Sequence, residues 1–313
     1  MTSDLKTTEP RTPSSADARK AADQPRLGRD TGETGMSAFA HLMLIGWTVI
    51  VVVPFVWALL ASVKSTDEIF GDQWPPFPKD LQWENFSNAW QYGVGDYLLN
   101  SVIVVTFSVI GTMLFGSMVA YVLARYQFRG NRFIYYLFAA GMMFPVFLAI
   151  VPLFFVVRNL PAVYGGLPGQ GMLSTYQGLI LVYIAYSLPF TVFFMHAFFR
   201  TLPTSIAEAA MVDGASHTQV FFRVMMPMAK PGLLSIGIFN VLGQWNQFVL
   251  PSFLSTQKPV LSQGIATMLS SMRYRNDWGA LFAALAIAMV PVIIVYLIFY
   301  RQIQAGLTSA TLK

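Results

Sequence analysis

Few side chains in this sequence are equipped to act on another molecule, and most of those are neutral. Asn240, Gln244, Asn246 and Gln247 fall within a single apolar stretch. Asn240, Gln244 and Gln247 are spaced i, i+4, i+7, which places them on one face of a helix. Uncharged amides are costly in hydrocarbon unless they find partners. They suit either a path for a hydroxylated solute or hydrogen bonding between helices, and the spacing fits both. The only acids between Asp96 and Asp277 are Glu208 and Asp213. No cysteine is present, so disulfides, zinc-finger sites and thiol nucleophiles are excluded. His41 and His196 sit near helix ends and read as packing or interfacial residues. No catalytic residue and no metal ligand is expected.

The elements that position these residues must be membrane helices. Of the 313 residues 55% are hydrophobic and 11% charged, against about 25% charged in an ordinary soluble domain. The mean hydropathy is +0.54. Such a composition excludes a disordered chain. A net charge of +5 without a basic stripe also argues against a nucleic-acid binder. Charge-free windows of about 20 residues are candidate membrane spans. Six occur, at 37–62, 98–124, 133–157, 175–199, 232–254 and 278–300. They lack the alternating polarity of barrel strands, so an all-α membrane protein with six transmembrane helices is expected.

Lys and Arg set the orientation. The N-terminal tail, the second and fourth loops and the C-terminal tail hold fourteen, and the other three loops hold six. Both termini are therefore expected in the cytoplasm of a multi-pass protein. Residues 1–35, rich in Thr, Pro, Ser and Ala, read as a disordered cytoplasmic tail. The transmembrane domain would be 36–313. No span carries an ionisable residue at its centre, which argues against a proton-coupled pump. A sodium symporter using backbone carbonyls is weakened but stays open. Ser108, Thr112, Gly116, Ala120 and Ala124 recur every four residues and read as a helix-packing face. Pro145, Pro152, Pro189 and Pro291 fall within or near spans, where kinks or ordinary packing explain them equally.

The fourth loop, 201–231, carries more signals than a connection needs. Ser205 and Glu208 fit a capping box that starts a short helix. Gly214 then stands where a helix end wants a left-handed residue. Ser216 and Gln219 form a second capping-box pattern, opening a helix expected to end before Pro227. The result is a compact helical knob: either a surface-lying amphipathic hairpin or a docking surface for a cytoplasmic partner.

This loop resembles the coupling-loop signature of binding-protein-dependent ABC transporter permeases. Glu208-Ala209-Ala210 is followed at the family's spacing by Gly214, then Val224, Met226 and Pro227, within an Asp213-Gly214-Ala215 context. Valine stands for the usual isoleucine and methionine for leucine. Other stretches resemble carbohydrate permeases of the maltose type: Pro227 to Pro231, Trp83-Glu84-Asn85-Phe86, Asn100-Ser101 and the closing Gly306-Leu307-Thr308. Trp245-Asn246-Gln247-Phe248 is also similar, with Gln247 where the family commonly has an acid. The resemblance runs from about residue 37 to the C-terminus and implies a type I ABC importer architecture in a bacterial cell membrane.

The chain itself has no Gly-x4-Gly-Lys-Ser/Thr phosphate loop. The resemblance accordingly implies that ATP and Mg are used by two partner ATPase subunits, beside a second permease subunit and an extracellular solute-binding protein. It assigns coupling to Glu208, Ala209, Ala210, Asp213, Gly214 and Pro227. Ile206, Met211 and Phe221 are expected to be buried against the ATPase. Asn240, Gln244 and Gln247 are the candidates for the solute path. The expected cargo is an oligosaccharide or amino sugar such as a chitin fragment. An ABC permease for another solute, an ion-coupled transporter and a non-transporting scaffold are the alternatives.

Overall fold

The computed structural model describes residues 31–71 and 77–311, and every regular element among them is a helix. In chain order these are α1 (Thr31–Ala61), α2 (Thr66–Phe70), α3 (Glu84–Gln91) and α4 (Val94–Arg125). Then come α5 (Asn131–Met143), α6 (Val146–Asn159), α7 (Tyr176–Thr201) and α8 (Thr204–Val212). The last five are α9 (His217–Met228), α10 (Lys230–Trp245), α11 (Val249–Leu254), α12 (Leu261–Arg275) and α13 (Trp278–Thr311). The tail expected at 1–35 lies outside the described residues as far as residue 30. Residues 31–35 belong to α1.

Among the described residues, four helices are long and apolar enough to cross a membrane: Phe39–Ala61, Val94–Arg125, Tyr176–Thr201 and Trp278–Tyr300. The two other expected spans are broken. Helices α5 and α6 meet at 106°, and α9 and α10 at 78°, so the crossings number six if each bent pair counts as one. The window at 133–157 is thus not one straight helix. Phe144 is extended ahead of Pro145, the N-cap of α6, because a proline ring clashes with a helical residue before it. The window at 232–254 also ends early, since α10 stops at Trp245 and α11 begins at Val249.

Two compact units divide the chain, Met1–Val56 and Trp57–Lys313. In the first, α1 is exposed from Phe39 to Val56. The second is organised around the pairing of α4 with α7. Ser108, Thr112, Gly116 and Ala120 are all buried there, so the small-residue face does pack. A Cβ on Gly116 would lie 2.6 Å from Thr191 Cγ2, too close unless Thr191 shifts.

Three apolar clusters fill this unit. One joins the C-terminal ends of α4 and α7 to α8 and α9 through Tyr121, Met195, Phe199, Phe221 and Met225. The others gather Val94, Leu261, Met268 and Leu281, and Val104, Val182, Tyr183 and Leu250. Helix α12 was not legible in the sequence, because its polar outer face masks an inner line of Leu261, Met268 and Met272. It is held by the Asn100-Ser101 pair of α4. The Leu261 amide donates to Ser101 Oγ at 2.8 Å, and Asn100 Nδ2 donates to the Pro259 carbonyl at 2.9 Å.

Asn85, also singled out by the resemblance, is buried and donates to the carbonyls of Ser62 (3.0 Å) and Lys64 (2.8 Å). Nearby, Tyr92 donates to Asp277 Oδ2 at 2.9 Å. Burial, aided by that hydrogen bond, raises the Tyr92 hydroxyl above its ordinary pKa.

Candidate functional site

Two features stand out in the second unit: a helical hairpin and an amide-lined cleft, joined by α9 and α10. The hairpin begins where the Arg125 guanidinium at the end of α4 donates to the Leu202 carbonyl at 2.6 Å. Helix α8 starts at Thr204 with Pro203 as N-cap and no side-chain cap. The capping box expected at Ser205 and Glu208 is therefore not formed. Proline already supplies a rigid extended entry, which puts Ser205 inside the first turn.

The other end of α8 is a complete Schellman motif. Gly214 has φ +90°. Its amide donates to the Met211 carbonyl at 3.1 Å, and the Ala215 amide to the Ala210 carbonyl at 3.0 Å. Ala210 and Ala215 both pack against the cluster around Tyr121 and Phe221, which sets the hairpin angle. The second capping box forms as expected. The Gln219 amide donates to Ser216 Oγ at 3.3 Å, and the Ser216 amide to Gln219 Oε1 at 2.8 Å.

Helix α9 does not end before Pro227 but runs through it to Met228. Residues Val220–Met225 are wound as a π-helix, with the Met226 amide bonding the Phe221 carbonyl. A proline ring normally clashes with the carbonyl four residues back, and the wider turn makes room for it. Such π segments are uncommon and often sit at functional places.

Glu208, Ala209, Asp213, Gly214 and Pro227 are exposed, and Ala210 is half-buried. Ile206, Met211 and Val212 on α8 are exposed too, Val212 at 87%. Phe221, expected to face a partner, is instead 5% exposed within this chain's own core, while its neighbour Phe222 faces outward at 45%. A π turn shifts side chains off the ordinary helical face, which sequence spacing alone does not reveal.

Beyond the bend at Ala229, α10 carries Asn240 and Gln244 into a polar seam between α4 and α7. Gln244 accepts from the Ser108 hydroxyl at 2.5 Å through Oε1 and donates to the Ser187 hydroxyl at 2.9 Å through Nε2. Asn240 donates to Thr191 Oγ1 at 2.9 Å and to the Ile236 carbonyl at 3.2 Å. Both amides are nearly fully buried. Each is thus an interhelical hydrogen bonder. Both also border a cleft of about 380 Å³ that opens beside the seam.

That cleft is framed by Phe144, Tyr183, Tyr186 and Phe239, with Gln247 at its rim. Gln247 does not continue the helical face of Asn240 and Gln244, because α10 ends at Trp245. It reaches the cleft from the turn that follows, where its amide bonds the Gln244 carbonyl at 3.3 Å. Phe144 reaches the cleft from the break between α5 and α6, and Gln247 from the turn between α10 and α11. Broken helices line solute sites in many transporters. The Tyr183 hydroxyl is buried and has no hydrogen-bond partner among the described residues. Such a group carries a desolvation cost that a polar ligand relieves.

Sequence reasoning missed Tyr183, Ser187 and Thr191. Ser187 and Thr191 stand i, i+4 on α7, a spacing visible in the sequence. Ser108 and Thr112 were read only as small residues, and their hydroxyls went unused.

Broken spans around a polar cleft, with a helical hairpin projecting from one end, define a multi-span transport permease. The chain is similar in fold to a bacterial ABC transporter involved in the import of the acidic polysaccharide alginate, with a TM-score of 0.73 at 19% identity. That match covers 87% of this chain and 98% of the other. Residues 112–309 match the family described as binding-protein-dependent transport system inner membrane component, and the chain belongs to that family. It is 50% identical over 282 residues to the diacetylchitobiose uptake system permease protein NgcG of Streptomyces coelicolor, covering 88% of this chain and 89% of the relative. It is also 31% identical to the probable ABC transporter permease protein YurM of Bacillus subtilis, over 93% and 92% of the two chains.

Proposed function

We propose that this chain is one of two permease subunits of an ATP-driven importer for a short oligosaccharide of N-acetylated amino sugars, with diacetylchitobiose as the leading cargo. The observation that carries the reading is the 50% identity over most of both chains to a diacetylchitobiose uptake permease. The neutral, aromatic-framed cleft is in keeping with it. Amides and a spare tyrosine hydroxyl match sugar hydroxyl and acetamido groups, and aromatic faces match the apolar faces of pyranose rings.

In this reading the hairpin points into the cytoplasm, as do both termini. Residues 201–231 dock on one of two ATPase subunits, which bind ATP and Mg, and an extracellular binding protein delivers the sugar. Exposed Ile206, Met211 and Val212 supply the apolar contact. Glu208 and Asp213 supply charge, and Gly214 and Pro227 hold the hairpin's shape. Closure of the ATPase pair moves the hairpin. Helices α9 and α10 carry that movement to Asn240 and Gln244, and Gln247, in the turn after α10, meets the solute. Residues 36–313 form the transmembrane domain.

The test is uptake of radiolabelled diacetylchitobiose by cells lacking this chain and by cells complemented with it. Loss on deletion and recovery on complementation is the expected result. Unchanged uptake in the deletion strain overturns the cargo. Uptake in vesicles driven by an ion gradient without ATP overturns the energy source.

A further inference from the structure

A second cleft is larger than the solute cleft. It is a cavity of about 1210 Å³ where the end of α4, the start of α5 and the end of α7 meet. Its wall is polar, built from Gln127, Arg132, Tyr135, His196 and Arg200 among others, and among the described residues no acid lines it. The Arg132 and Arg200 side chains are exposed. Asn131 is engaged, its amide donating to the carbonyls of Leu123 (3.1 Å) and Tyr126 (2.6 Å), so the turn that presents Arg132 is held in place. His196 lies tilted against Tyr135, with ring centroids 4.3 Å apart, and both line the cleft.

The surroundings change character on one side. Phe133 and Tyr136 line the cleft and, with Leu137, continue up the outer face of α5, exposed at 72%, 59% and 60%. Positions i, i+3 and i+4 share one helix face, so a basic pocket runs directly into an apolar track. A ligand matching both parts has an anionic head and a hydrocarbon tail. Two guanidinium forks suit the paired oxygens of a phosphate, and aromatic rings suit the depth of the glycerol backbone. Basic pockets between the ends of membrane helices are where anionic lipid headgroups bind.

We propose that this cleft binds the phosphate of an anionic phospholipid, with Arg132 and Arg200 on the headgroup and Phe133, Tyr136 and Leu137 along one acyl chain. The lipid would brace α5, the first half of the broken span, against α7. Nothing in this depends on which solute is carried.

The test uses the full-length chain extracted from membranes in mild detergent and titrated with phosphatidylglycerol or phosphatidylcholine, with retained lipid counted by native mass spectrometry. Phosphatidylglycerol is expected to be retained and phosphatidylcholine not. At on the order of 1 kcal/mol per basic residue, R132Q/R200Q lowers retention about 30-fold. R158Q/R275Q, away from the cleft, leaves it unchanged. Equal retention of the two lipids by the unaltered chain overturns the proposal, whether or not any variant accumulates. So does undiminished retention by R132Q/R200Q. Displacement of the lipid by stoichiometric inorganic phosphate would make this a free-phosphate site, and the lipid assignment would fall.

Discussion

The Ser108 hydroxyl on α4 stands 2.5 Å from the side-chain oxygen of Gln244 on α10, a contact that joins residues 136 positions apart. The same amide reaches Ser187 on α7, so one side chain bridges three helices. Gln244 lies on the helix that leads back through the Ala229 bend to the hairpin. Any displacement of α10 along its axis must exchange these hydrogen bonds for others.

Replacing Gln244 with leucine removes the bridge while keeping an apolar filler. Hydrogen bonds between membrane helices average ~0.6 kcal/mol and reach about 1.7 kcal/mol, and two short ones plus a long one to Thr112 at 3.5 Å are lost here. A destabilisation of about 1–2 kcal/mol is expected in reversible detergent unfolding. Ser187→Ala in the same background should add almost nothing, because its partner is already gone. Full additivity would mean that the two side chains are not coupled.

Tyr183→Phe separates solute contact from stability. The Tyr183 hydroxyl is buried without a partner, so deleting it removes a desolvation cost and no internal hydrogen bond. The variant should unfold at or slightly above the wild-type midpoint. If the hydroxyl meets the sugar, its half-saturation concentration for uptake rises about tenfold, the loss of one ligand hydrogen bond of roughly 1.4 kcal/mol. A lowered midpoint with unchanged uptake would assign the hydroxyl to packing.

Two glycines in the spans make opposite predictions for one substitution. Gly116→Ala places a methyl 2.6 Å from Thr191 Cγ2, whereas a Cβ on Gly237 meets nothing within 4 Å. Overpacking costs about 1–3 kcal/mol, and here it also pushes on Thr191, the partner of Asn240. Gly116→Ala should therefore lower stability and uptake together. Gly237→Ala should be neutral or slightly stabilising, because alanine favours the helix. Thermal unfolding of both variants checks the pair.

The contrast between those glycines was not visible in the sequence, although the stripe containing Gly116 was. Periodicity reports which face of a helix packs but not which neighbour lies above each residue. The same limit explains the fate of the amides. Their cost in hydrocarbon made Asn240 and Gln244 conspicuous, whereas the hydroxyls that satisfy them looked like ordinary small residues. The all-helical membrane class followed from charge-free length alone. The break at Pro145 had a local cause that could be read, while the early end of α10 depends on a turn around Asn246 and on Ser262, which donates to the Gln247 carbonyl at 2.8 Å. In the hairpin the signals were local and dense, so Gly214 and the Ser216 cap were legible. The Ser205 cap failed because Pro203 had already started the helix.

Gly214 gives the most direct test of the hairpin. Its φ of +90° is a backbone requirement, not a packing one, since a Cβ there would meet nothing within 4 Å. Substitutions should therefore rank by their ease in left-handed conformations and not by size. Asparagine visits that region routinely, whereas other L-residues pay about 1–2 kcal/mol for it, and β-branched residues fare worst. Gly214→Asn is expected to keep most uptake, Gly214→Ala to lose part of it and Gly214→Val nearly all. All three should accumulate in the membrane as the wild type does, because the spans are untouched. ATP hydrolysis by the assembled complex should lose its dependence on the sugar-loaded binding protein in the same order. If alanine and valine match glycine in both measurements, the Schellman turn is not what transmits the stroke. If asparagine fails as badly as valine, the exposed surface at 214 itself touches the ATPase, and the role of this residue is contact instead of shape.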